Sequence, residues 1–234
     1  NLLVSVAAGE EGWAKFVDAF DAIDILPTDT VEPQQHDFKL QKKNEALLTA
    51  GDVQYVAKAG DYRKLGYEYH GSMRVLATVM RYDYLWNKIR VQGGAYGAVA
   101  RFRRRGDMFF CSYRDPNIET TIDTYNQTAE FLRGFNADER EMTKYILGTI
   151  SGMDMPLTAA LKAEKAIVSH VCALSDDMLQ QERQQVLSTT QEDIRALAEL
   201  VDACMKDNNT CALGNEERLK ATTGIFDNQV TVKK

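Results

Sequence analysis

The chain has 234 residues, 44% of them hydrophobic and 26% charged, and its 28 Lys+Arg against 34 Asp+Glu give a formal net charge of −6. This is the ordinary mixture of a globular protein with enough length to bury a sizeable core. The mild acidity argues against general nucleic-acid binding, which leaves a basic footprint, and no window approaches the ~20 apolar residues of a membrane-spanning helix, so a soluble chain with neither nucleic acid nor membrane as partner is expected.

Residues 2–7 predict a short strand closed by Gly9. With no basic leader and no cleavage site they do not read as a signal peptide, and a first residue other than Met points to a piece of a longer polypeptide. Trp13, Phe16, Val17, Phe20 and Ile23 recur at three and four, which predicts a helix with one apolar face. Segment 24–48 is largely polar, carries Pro27 and Pro33, and predicts a long loop or linker. Residues 53–59 return to strand character and end at Gly60.

From His70 to Lys88 the spacing is helical again, with Met73, Leu76 or Ala77, Met80 and Tyr84 in one stripe. Gly93-Gly94 breaks it. Residues 96–103 alternate, Gly106-Asp107 signals a turn, and 108–113 pair back as a hairpin. Asp115-Pro116 predicts a helix start, followed by Ile118, Ile122, Tyr125, Ala129 and Leu132 on one face. Asn136 with Glu139, and Thr189 with Glu192, predict capping boxes for later helices. Between them Pro156 restarts a helix that reaches Val171, and Ser175 opens another. Residues 211–213 predict a late strand. The sum is one α+β domain over 1–234: a two-layer sandwich, with helices on one face of a mostly antiparallel sheet. Cys111, Cys172, Cys204 and Cys211 lack C-x-x-C spacing and read as small buried hydrophobes in a reducing compartment.

The familiar zinc peptidases need H-E-x-x-H or H-x-x-E-H, two His one helical turn apart on a single metal. His36, His70 and His170 stand far apart without such partners, and no nucleophile elbow or phosphate loop is present. A complete hydrolytic site is therefore not expected within these residues, and no metal ligand is assigned. The unusual segment runs from Tyr84 to Gly97. Arg90 leaves a helix, two glycines turn the backbone, and Tyr96 opens a strand, so a guanidinium and a phenol can meet at one side of a sheet edge. Such donors suit a peptide carbonyl that becomes an oxyanion. The same spacing is also met by a plain turn, with Arg90 as a helix C-terminal cation and Tyr96 as a core aromatic.

Other features have bland readings. Arg101, Arg103, Arg104 and Arg105 are a solvated hairpin tip or a contact for an acidic partner, and Tyr84 and Trp86 are packing residues. His70 is a cap or surface residue, while Asp176-Asp177 and Glu216-Glu217 are helix N-terminal charges.

From about residue 50 onward, the blocks 53–60, 82–87, 90–97 (with Gly93-Gly94-Ala95-Tyr96-Gly97), 112–117, 138–146, 192–197 and 213–216 stand in order. In them the chain resembles the C-terminal domain of the insulinase/pitrilysin superfamily of inverted-zincin metallopeptidases, in its presequence-protease branch. The resemblance implies four related α+β domains in two halves that close like a clamshell. The N-terminal half would hold zinc as cofactor, and this fragment none. The C-terminal half would reach across to an unfolded peptide substrate with Arg90 and Tyr96 as catalytic residues and Gly93, Gly94 and Ala95 as substrate-binding ones. It implies a zinc metalloendopeptidase of short peptides, in a bacterial cytoplasm or organelle matrix, with the N-terminal half as partner. A non-catalytic structural or substrate-holding domain of the same superfamily is the alternative, and a small-molecule binding module is a third.

Overall fold

The computed structural model describes residues 3–23, 36–39 and 41–232. In chain order they form α1 (Glu10–Asp21), β1 (Glu45–Thr49), β2 (Gln54–Asp61), α2 (Ser72–Val79), β3 (Gly97–Phe102) and β4 (Asp107–Asp115). Then come α3 (Glu119–Asn126), α4 (Thr128–Arg133), α5 (Glu139–Met153), α6 (Ala159–Val171) and α7 (Asp176–Leu187). The last elements are α8 (Gln191–Ala196), α9 (Ala198–Lys206), β5 (Asn209–Asn215), α10 (Glu216–Ala221) and β6 (Asn228–Thr231). Among the described residues no helix is long and apolar enough to cross a membrane.

The chain divides into two compact units, Asn1–Leu40 with Asp154–Gln180 and Gln41–Met153 with Gln181–Lys234, where the sequence predicts one domain. In the first unit, Trp13, Phe16 and Phe20 stack along α1 with centroids 5.7 and 5.4 Å apart, as their spacing requires. Residues 3–9 form no strand, against expectation; Leu2 lies outside the described residues. A strand needs a ladder partner, whereas this segment bonds through the Ser5 hydroxyl, which donates to the Ala163 carbonyl oxygen at 3.0 Å, and through the Gly9 carbonyl oxygen, which accepts from the Trp13 N–H of α1. α6 starts three residues after the predicted Pro156 because the Thr158 hydroxyl takes the cap, accepting from the Leu161 N–H.

The second unit is built on a six-stranded sheet in the order β3-β4-β2-β5-β1-β6. β3 with β4, β4 with β2, and β2 with β5 are antiparallel; β1 lies parallel to both β5 and β6. Alternation sorts the two faces. Ala46, Leu48, Val56, Ala100, Met108, Phe110 and Ala212 are buried in one core with Met73, Leu76 and Met80, Tyr125, Leu132, and Leu200, Val201 and Cys204 from the helices. Leu47, Tyr55, Ala57, Val99, Phe109, Cys111, Tyr113 and Cys211 are exposed or half-exposed and share the other face. The expected two-layer arrangement is thus present.

Several local expectations shift. Segment 24–35 lies outside the described residues, but the predicted linker 24–48 gives its last residues to β1. The polar run Lys42-Lys43-Asn44 conceals this strand, whose Ala46 and Leu48 face the core. The capping boxes move by one or two residues. Asp138 and Glu141 cap α5 reciprocally, at 2.8 and 3.0 Å, in place of Asn136 and Glu139. Thr190 and Asp193 cap α8 in place of Thr189 and Glu192, because Thr189 turns its hydroxyl back onto the Gln185 carbonyl oxygen. The cysteines divide as well: Cys204 is buried, Cys111 half-buried, and Cys172 and Cys211 exposed.

Candidate functional site

The helix that carries Arg90 is not uniformly α. After Val79 it widens into two π segments, Met80–Tyr84 and Trp86–Gln92. The burial spacing explains this: Met80, Tyr84, Leu85 and Ile89 are buried at intervals of four and five, which a wider turn keeps on one face. Tyr84 is core, stacked on Phe131 at 4.6 Å, and its hydroxyl donates to the Thr124 carbonyl oxygen at 2.8 Å. Burial pushes that phenol up to about 12.

Gly93, Gly94 and Ala95 turn the chain from this helix onto β3. The Gly93 and Gly94 N–H groups donate to the Arg90 carbonyl oxygen, and the Ala95 N–H donates to that of Ile89. Gly94 sits at φ +78°, where a side chain is strained. The Gly93 carbonyl oxygen accepts from Asn117 Nδ2 at 2.6 Å, and the Ala95 methyl is buried. All three N–H groups are engaged within the turn, so polar reach outward falls to the flanking side chains.

Those side chains are Arg90 and Tyr96. Both are exposed, Tyr96 by 57%. The Arg90 guanidinium lies 4.1 Å over the Trp86 ring and 5.8 Å from the centroid of Tyr96. Neither the guanidinium nor the phenol hydroxyl hydrogen-bonds another described residue, so both keep their donors. Trp86 is half outside the core, a platform for Arg90 rather than the packing residue expected.

Two neighbours escape a sequence reading. Tyr113 lies 5.3 Å from Tyr96, and the Arg114 guanidinium 5.7 Å from the same ring. β4 carries an irregularity here: β2 pairs Val56 with Ser112 but Gln54 with Asp115, and Arg114 adopts φ +48°. Tyr96 N–H donates to the Arg114 carbonyl oxygen at 3.3 Å. Gly97, opposite Tyr113 in the hairpin register, makes room for that ring; a Cβ there would stand 2.6 Å from Tyr113 Cε1. The signal was the aromatic at 113 facing a glycine at 97. Asp115, fully buried, anchors the corner by accepting from the Asn117 N–H and the Thr121 hydroxyl.

Apart from Arg101, the basic cluster is held by carboxylates of the same unit. Arg103 and Arg105 pair with Asp107, and Arg104 and Arg74 both pair with Glu182 of α7. Glu182 is 2% exposed and also accepts from the Tyr69 hydroxyl at 2.5 Å. Burial pushes its carboxyl up, but the bonds from Tyr69, Arg74 and Arg104 outweigh this and hold it below the usual carboxylate range. The network ties α2, the helix that leads to Arg90, to the β3–β4 turn. His70 is a surface residue just before Gly71, the N-cap of α2, and its Nδ1 accepts from the Ser72 N–H at 3.2 Å. Among the described residues no group of three His, Cys, Asp or Glu could hold a metal ion, so these residues offer zinc no ligand set.

Comparison with known proteins places the chain in a family. The model described as the PreP C-terminal domain matches residues 44–214. Protein HypA of Clostridium perfringens is 40% identical over the whole of this chain, which spans 24% of HypA. Presequence protease 1, chloroplastic/mitochondrial, of Arabidopsis thaliana is 34% identical over 85% of this chain and 18% of its own length. The chain thus spans a quarter or less of these curated relatives. A solved peptidase M16 inactive domain from Pseudomonas fluorescens superposes with a TM-score of 0.56 at 13% identity, covering 96% of this chain and 51% of that one, a likeness of fold.

Proposed function

This chain belongs to the PreP C-terminal domain family, in the presequence-protease branch of the insulinase/pitrilysin superfamily, and from that premise we propose that it is the substrate-gripping part of a zinc metalloendopeptidase of short unfolded peptides. The observation that carries the reading is the exposed, unpaired phenol of Tyr96 beside the equally unpaired guanidinium of Arg90. Arg90 offers fixed donors to the peptide backbone. Tyr96 donates to the scissile carbonyl oxygen, whose negative charge grows during attack; one such donor is worth about 3 kcal/mol in the transition state. Gly93, Gly94 and Ala95 serve by shaping the turn that sets these two side chains. Zinc belongs to the N-terminal half of the enzyme, and no step on the metal is drawn from this chain's residues. Free thiols and the organellar name of the Arabidopsis relative support a reducing, intracellular compartment.

The solved relative described as an inactive domain favours a second reading, a domain that holds peptide without contributing to its cleavage. Adding the zinc-bearing half tests the proposal. Together they should cleave a short unfolded peptide that the 234-residue chain alone leaves intact. Failure of a folded, zinc-loaded pair to cleave any such peptide would refute it.

A further inference from the structure

β3 is an end strand of the sheet, and its residues 97–101 line a groove of about 190 Å3 together with residues of the π segments. Arg81, Arg90 and Arg101 line the same groove, with Trp86 and Tyr113 as aromatic walls, and no carboxylate is among its lining residues. None of these three guanidinium groups forms an ion pair among the described residues. Arg81 lies 5.4 Å over the Tyr82 ring, Arg90 over Trp86, and Arg101 reaches the Ala100 carbonyl oxygen at 3.4 Å. By contrast, Arg74, Arg103, Arg104, Arg105 and Arg133 of this unit hold carboxylates, while among its other arginines Arg195 and Arg218 bond backbone carbonyl oxygens. Three arginines thus line one groove without a carboxylate among its lining residues, in a chain of net charge −6, which makes the groove a local patch of positive charge. Guanidinium groups match the planar carboxylate through paired N–H donors. An unpaired strand edge in turn accepts an extended peptide.

We infer that this groove is a carboxylate subsite. An extended peptide lies along the β3 edge and sets an acidic side chain, or its own terminal carboxylate, between Arg81 and Arg101, beside the Arg90–Tyr96 pair. The inference rests on the peptide-binding reading above and adds a preference to it: Arg81 and Arg101 select the peptide, while Arg90 and Tyr96 act on the bond.

The test is fluorescence anisotropy of the 234-residue chain with labelled, unstructured peptides in four forms. One carries a Glu and a free C-terminus, one has Gln for the Glu, one is amidated at the C-terminus, and one has both changes. Losing the carboxylate that occupies the groove should weaken binding about tenfold, and the form in which the loss appears identifies its source. Arg101→Gln and Arg81→Gln should each shrink this preference severalfold, Arg101→Lys should retain part of it, and roughly 0.5 M salt should reduce it. Equal binding of all four forms, unchanged by Arg81→Gln and Arg101→Gln, overturns the subsite and leaves peptide binding intact. Binding of none of the four overturns both. Circular dichroism confirms the fold of each variant; should Arg101→Gln unfold, Arg81→Gln and Arg101→Lys carry the test.

Discussion

Glu182→Gln offers the sharpest test of how the site helix is held. The wild-type carboxylate, 2% exposed, accepts from Arg74, Arg104 and Tyr69. A hydrogen bond to a charged group is worth about 1.5–3 kcal/mol net, and burying the carboxylate costs several kcal/mol in return. The amide keeps one oxygen for these donors and turns an N–H group toward the others. Removing one charge from a buried cluster of this kind costs about 2–4 kcal/mol. Urea unfolding at pH 7 should show that loss. The folded carboxyl titrates below its ordinary value, so its contribution is complete above about pH 5 and fades as pH falls through the folded value. Wild type and variant should therefore converge on acidification, with the gap closing below about pH 4. A difference under about 0.5 kcal/mol at pH 7, or one that stays constant into acid, would refute the assignment of this network.

Gly97→Ala drives a methyl into the Tyr113 ring; a cost of about 1–2 kcal/mol is expected from the urea midpoint. Thiol labelling under native conditions should modify exposed Cys172 first and Cys211 more slowly, because desolvation and nearby Glu45 push the Cys211 thiol up. Cys204 should react only on unfolding, because it is buried and its thiol is pushed up to about 12. Tyr96→Phe should leave stability within about 0.5 kcal/mol of wild type, since the hydroxyl is unbonded and the ring exposed.

Much of the fold was legible because its elements carry strong periodicity. The stripe Met73, Leu76, Met80, Tyr84 and the alternation from Gly97 to Tyr113 both correspond to the helix and hairpin present. β1 was not legible: a strand of Glu45–Thr49 with polar residues before it shows its character only through pairing with β5 and β6. Both cap shifts bring in an aspartate, Asp138 as the cap of α5 and Asp193 at the third position of α8. Asp138 and Asp193 form the boxes through their short carboxylates, where a search for Thr-x-x-Glu looks to the adjacent residues. At the site, the chain order gave Arg90, the two glycines and Tyr96, which lie within one turn. Tyr113 and Arg114 come from the other arm of a hairpin and depend on its register and on a backbone irregularity at Arg114. Trp86 was misjudged because a π segment, rather than an α-helix, turns it outward onto Arg90.

The most direct measurement is single-turnover cleavage of a short peptide by the complete two-half enzyme carrying Tyr96→Phe. The account predicts that the chemical step slows by roughly tenfold to a thousandfold while peptide affinity changes little. Wild-type turnover in a correctly folded variant would contradict it.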